Sequence, residues 1–141
     1  MLVLILTTDR KNQLGDDNLF AKTCKEDKIW FQKISKHYKT CLVGKNTAQT
    51  LPKLTDRNVI IIQRNQNYTN GIIIGGKKIY EHFWDKVTVI YRSIHKNQDL
   101  GGETFEPSFD NLVLVDRVET DDLIKEVWIP KSLENYKVRI L

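Results

Sequence analysis

The sequence predicts an α/β domain of three layers, with a mostly parallel central sheet and an antiparallel C-terminal strand. Three observations carry this expectation. Short β-branched runs alternate with helical patterns early in the chain, and only strand-like runs follow late, an order that belongs to parallel sheets crossed by helices and finished by antiparallel pairing. Two of the runs end in a glycine turn that opens a helix, at Gly44 and at Gly75-Gly76. The 141 residues are enough for one domain with a real core, and 1–141 reads as a single domain.

Taken in order, Leu2 to Leu6 is apolar throughout and reads as a buried first strand. It lacks the basic lead of a signal peptide and turns polar at Thr7. Asp9 to Asn18 is a long polar loop, of the kind that often carries function. Thr23 and Glu26 have capping-box spacing and open a helix over roughly Cys24 to Lys36, with Ile29, Trp30, Phe31 and Ile34 as its apolar residues. Asp27 stands three, four and seven residues before Trp30, Phe31 and Ile34, which places a carboxylate on the buried stripe of that helix. The plainer alternative is a first-turn acid that favours the helix dipole. A carboxyl facing an apolar cleft binds its proton more tightly, and suits proton supply or pairing with an amidine-like ligand edge.

Thr40 to Val43 is a second strand, and Gly44-Lys45-Asn46-Thr47 opens a short helix that ends by Leu51 to Leu54. Asn58 to Ile62 is a third strand, Gln63 to Asn70 a polar loop, and Ile72 to Ile74 a fourth strand. After Gly75-Gly76, the spacing of Ile79, Tyr80, Phe83 and Trp84 is helical. A strand–glycine–helix junction leaves backbone N–H groups free for an anion, and Lys77 and Lys78 stand beside this one. The other reading of the Gly-Gly pair is a tight turn alone. Val87 to Ile94 and Leu112 to Val115 are further strands, Asp116 to Trp128 has no assignable period, and Tyr136 to Leu141 alternates as a last strand. In such sheets ligands bind where strands end and helices begin.

The balance of 22 Lys and Arg against 18 Asp and Glu gives a net charge of +4, which permits an anionic ligand without requiring one. No dense basic run carries interleaved aromatics, so no nucleic-acid partner is expected. No apolar run reaches membrane-spanning length, so no membrane partner is expected either. Cys24 and Cys41 lack metal-type spacing, so no metal is expected, and two thiols without an export signal point to the cytoplasm. His37, His82 and His95 have no partner spacing and read as surface or incidental polar residues.

These residues, in this order, resemble dihydrofolate reductase along nearly the whole chain. The signs are Leu14-Gly15, Asp27 with Trp30-Phe31, Gly44-Lys45-Asn46-Thr47, Leu54 with Arg57, Ile74-Gly75-Gly76 with Tyr80-Glu81, Gly102-Glu103-Thr104 near Pro107, and the ending Ile140-Leu141. The resemblance implies NADPH-dependent reduction of dihydrofolate to tetrahydrofolate, sensitivity to antifolates such as methotrexate, and a place in one-carbon metabolism. It implies that Asp27 holds the pterin edge and helps deliver the proton. Phe31, Leu51 and Leu54 line the substrate pocket, and Arg57 pairs with the glutamate-tail carboxylate. For the cofactor, Gly15 and its loop close over the nicotinamide, with Glu103 as the acidic residue that braces the loop. Ile74 and Tyr80 border the nicotinamide pocket. Gly75 and Gly76, which the family joins by a cis peptide, lie against the cofactor. Gly44, Lys45, Asn46 and Thr47 take phosphates with Lys77, and Lys78 and Arg64 meet the 2′-phosphate. A monomer is expected, a homodimer being the alternative.

The chain departs from the family in five places, the first being a first loop longer than the family's before Leu14. Phe20-Ala21-Lys22 replaces a Pro-Trp pair in the closing loop. Arg57 and Asn58 are adjacent where the family has a residue between them. Arg92 or Ser93 stands where the family has a Thr bonded to the buried acid. Gln63 to Gly71 is short where the family has another strand and helix on the adenosine side. Two alternatives follow: a binding or structural protein with little catalysis on this fold, or a reductase of a riboflavin-pathway pyrimidine. Heavy use of Lys, Asn and Ile fits an AT-rich genome, as of a phage in its host's cytoplasm or a small-genome bacterium.

Overall fold

The computed structural model describes residues 1–134, so the strand expected over Tyr136 to Leu141 lies outside the described residues. Strands β1 (Leu2–Asp9), β2 (Thr40–Val43), β3 (Asn58–Ile61), β4 (Gly71–Ile73), β5 (Val89–His95), β6 (Leu112–Glu119) and β7 (Leu123–Pro130) form one sheet. Their order is β3-β2-β4-β1-β5-β7-β6. β1 lies parallel to β4 and β5, and β2 parallel to β3 and β4. β7 runs antiparallel to both β5 and β6. Helices α1 (Leu19–Lys22), α2 (Lys25–Tyr38), α3 (Lys45–Ala48) and α4 (Lys77–Phe83) complete the described chain with a 3-10 turn at Lys131–Leu133.

β1 takes the centre because its first five residues have no polar side, and only a central strand buries both faces. On one face Val3 and Ile5 pack with Trp30 and Ile34 of α2. On the other, Leu4 and Leu6 pack with Tyr80 and Phe83 of α4. Helix, sheet and helix are the three layers, and each fully buried aliphatic side chain contributes about 1.5–3 kcal/mol.

Several local expectations are corrected. The capping box does not form: α2 starts at Lys25 after Cys24, without a side-chain cap. Thr23 Oγ1 donates instead to Phe20 O at 3.2 Å and closes α1. Glu26 is drawn to β7, accepting from Thr120 Oγ1 at 2.6 Å and Lys125 Nζ at 3.2 Å. Ile29 faces outward. β7 falls largely within the stretch that has no assignable period, because Lys125 and Glu126 interrupt its apolar residues. Both charges are partnered, Lys125 by Glu26 and Glu126 by Arg92 at 3.8 Å. β3 is apolar yet lies at the sheet's edge, with Val59, Ile60 and Ile61 each 41–43% exposed. The chain after it adds only a loop before β4, and among the described residues no further strand covers that edge.

Candidate active site

Asp27 sits in the first turn of α2 but is only 4% exposed. The helix lays this turn over the C-terminal ends of β1 and β5, where Thr7 and Ser93 are register partners on one face. Thr7 Oγ1 donates to Asp27 Oδ2 at 3.0 Å, and Ser93 Oγ lies 2.8 Å from Thr7 Oγ1. Of the two strand-five candidates, Ser93 is therefore the residue at the acid. Arg92 points to the opposite face, donating to Asn12 Oδ1 at 3.0 Å and lying over the Phe109 ring. Burial pushes the Asp27 carboxyl above its ordinary range, while hydrogen bonding to Ser93, the His95 ring and the Thr7 hydroxyl pull it back.

His95 is a correction to the sequence reading. It is 2% exposed, and its Nε2 stands 3.8 Å from Asp27 Oδ2. The signal was its place two residues after Ser93, which puts both side chains on one face of β5. His37 and His82 are exposed.

The polar loop after β1 is folded around Asp9, whose carboxylate accepts from the backbone N–H groups of Lys11, Gln13 and Leu100. Leu14 N donates to Glu103 O and Gly15 N to Gly101 O, each at 2.8 Å. This contact needs a glycine at 102: its φ is +79°, and a Cβ would lie 2.0 Å from Gly15 O.

The two glycine junctions meet. Gly44 N donates to Gly75 O at 2.7 Å, and the Gly75–Gly76 peptide is cis. A Cβ on Gly76 would lie 2.8 Å from Thr47 Oγ1, so α3 and α4 begin side by side. Tyr80 Oη donates to Ile5 O at 2.9 Å and lies under Gly75.

A cavity of about 660 Å³ joins these parts. Asp27, Phe31, Leu54 and Arg57 line it, as do Gly15, Asn46, Thr47, Ile74, Gly75, Gly76, Lys77 and Tyr80. Arg57 is fixed by Nη1 donating to Ser35 Oγ at 2.8 Å and Nε donating to Thr55 O at 2.9 Å. Leu51 packs against the core behind the cavity rather than lining it. Gly44 is likewise behind the wall, and Lys45, Lys78 and Arg64 are exposed and outside the lining. Thr7, Phe20, Lys28 and Lys53 line it without having been singled out as site residues. Phe20 stands edge-to-face with Phe31, ring centroids 5.9 Å apart. Asp16, Asp17 and Glu103 also line the cavity, but they are exposed; Asp27 is the buried carboxyl. Among the described residues no cluster of His, Cys, Asp or Glu is placed to hold a metal ion, and no helix is long and apolar enough to cross a membrane.

No protein-family model matches the sequence, and no curated protein matches it by sequence. The structure is similar to that of dihydrofolate reductase from Enterococcus faecalis complexed with NADP(H) and RAB-propyl. The TM-score is 0.76 at 18% identity, over 93% of this chain and 96% of that one. Over that share of both chains the two structures have one architecture, and the chain has the dihydrofolate-reductase fold.

Proposed function

We propose that the protein reduces 7,8-dihydrofolate to tetrahydrofolate with NADPH. The observation that carries this reading is a buried carboxylate, Asp27, on the wall of a cavity that also reaches the Gly75–Gly76 pair. A flat heterocycle with an amidine edge matches Asp27, which accepts two hydrogen bonds side by side when ionised. Phe31 and Leu54 supply apolar walls for the ring and its substituent. Arg57, held by Ser35 and Thr55, meets a tail carboxylate, and Lys28 and Lys53 add positive charge to the lining. A fold neighbour solved with NADP(H) supports the cofactor.

The residues present fit that cofactor. Gly76 leaves no room for a side chain beside Thr47, so backbone alone approaches the cavity there. Thr47, Asn46 and Lys77 line the same cavity and would hold phosphate oxygens. When bound, NADPH supplies the hydride for pterin C6. Asp27 fixes the pterin against the cavity wall, so orientation contributes much of the acceleration. Burial raises its affinity for a proton, which suits it to helping deliver one to N5 through solvent on that side. The loop carrying Gly15, tied to Gly101 and Glu103, would shield the nicotinamide end from water.

A second reading, a folate-site protein with little turnover, is favoured by one observation: no Trp lines the cavity among the described residues, and Phe20 occupies the closing-loop position. Thermal unfolding with NADPH and, separately, with methotrexate tests the site itself. A ligand at a hundred times its Kd adds about 2.7 kcal/mol, so each raises Tm if the site is a folate and cofactor site. A Tm unmoved by both ligands removes the reading.

A further inference from the structure

Asp27 shares its buried surroundings with a second titratable group. His95 Nε2 stands 3.8 Å from Asp27 Oδ2 and accepts the Cys24 N–H at 3.3 Å. That bond uses the Nε2 lone pair, so the ring is neutral in this arrangement. A proton on Nε2 would face Cys24 N–H donor to donor, and the nearest acceptor for it is Asp27. His95 Nδ1 is buried and has no partner among the described residues, so no second acceptor competes for an imidazolium proton.

The other charged groups around the ring are already engaged. On α2, Glu26 is held by Thr120 and Lys125, the latter reaching over from β7. On β1, Asp9 is the register partner of His95, and its carboxylate accepts from Lys11, Gln13 and Leu100. Asp122 precedes β7 and acts on the Cys24 thiol.

We propose that Asp27 and His95 bind a single proton as a unit, with His95 the positioning residue that sets how the proton is divided. Added to the neutral ring and the carboxylate, the proton goes either to Nε2, giving imidazolium and carboxylate, or to the carboxyl, giving neutral imidazole and acid. The imidazolium form gives up the Cys24 N–H hydrogen bond, and no other covalent bond changes. The first form presents a carboxylate to an amidine edge. The second presents an acid. Interacting groups of this kind titrate as a pair. The bearing on turnover rests on the dihydrofolate reading; the pairing itself is a property of the free chain.

The test is NMR of the full chain without ligand, following the His95 ring protons and the Asp27 carboxyl carbon against pH in the wild type and in His95→Gln. In the wild type both signals move through one shared step. In His95→Gln the Asp27 step moves to lower pH, because the carboxyl then binds the proton without the ring taking a share of it, and the pH profile of NADPH oxidation moves the same way. Separate, independent steps in the wild type, or an Asp27 step unmoved by His95→Gln, would overturn the pairing. If His95→Gln does not fold, the wild-type coincidence decides alone. A shared step without turnover keeps the pair and removes the dihydrofolate reading; turnover with independent steps does the reverse.

Discussion

Replacing Asp27 by Asn separates what the carboxylate does for stability from what it does for chemistry. Burial raises its affinity for a proton in the folded chain. A carboxyl whose folded pKa exceeds its unfolded value destabilises the fold when ionised. The penalty is absent below the ordinary carboxylate range, grows as pH rises toward the folded value, and is complete above it. At neutral pH the wild type carries that penalty, worth about 1.4 kcal/mol for each tenfold of raised affinity. The Asp27→Asn substitution removes it. Against this, the Thr7 hydroxyl, 3.0 Å from Oδ2, exchanges a charged acceptor for a neutral one, a loss of about 1 kcal/mol. The variant is therefore expected to be at least as stable as the wild type at neutral pH, with any advantage vanishing as pH falls. Turnover is expected to fall roughly 10²–10⁴-fold, the usual worth of a positioned proton donor. Urea unfolding across pH, beside NADPH oxidation, reads both. Near wild-type turnover would refute the role of Asp27, and a variant markedly less stable at neutral pH would refute the cost of burying it.

Four further outcomes follow from the same geometry. Ser93→Ala removes a hydroxyl that pulls the Asp27 proton affinity down, so the pH profile of turnover moves to higher pH. Gly102→Ala places a methyl against Gly15 O and strains a φ of +79°, so hydrogen exchange at the Leu14 and Gly15 amides speeds up as their bonds to Glu103 and Gly101 part. Gly76→Ala puts a Cβ 2.8 Å from Thr47 Oγ1; NADPH affinity measured by calorimetry falls by about tenfold or more, some 1.4 kcal/mol, while methotrexate affinity holds. Ile73→Ala, at a fully buried position in β4, costs about 2–5 kcal/mol in chemical unfolding, whereas Ile60→Ala, on the exposed edge strand β3, costs well under half of that.

The parts of the fold that periodicity could reveal were the ones with unmixed signals. β1, β2 and β4 are short apolar runs between polar breaks, and β4 leads through Ile74 to the Gly-Gly turn and α4. Asp27 stood out because a charge on an apolar stripe is anomalous, and it is buried. β7 was hidden because its charges are neutralised from elsewhere in the chain, by Glu26 and Arg92, and no local pattern reports a partner about a hundred or some thirty residues away. The Thr23–Glu26 pair misled for the same reason, since Thr120 and Lys125 draw Glu26 away from the helix start. His95 shows the limit most clearly. Its spacing from Ser93 places it on the same face of β5, but only the docking of α2 across that face makes it a neighbour of Asp27. β3 reads as core by composition, and only sheet order shows it to be an edge.

The most direct test is the loss of NADPH absorbance on adding dihydrofolate, with NADH in parallel and methotrexate as the inhibitor. Dihydrofolate-dependent oxidation that prefers NADPH and stops with methotrexate is the result expected of the Asp27 cavity. No oxidation by a folded chain whose melting temperature still rises with both ligands would contradict catalysis and leave a folate-binding protein on the same fold.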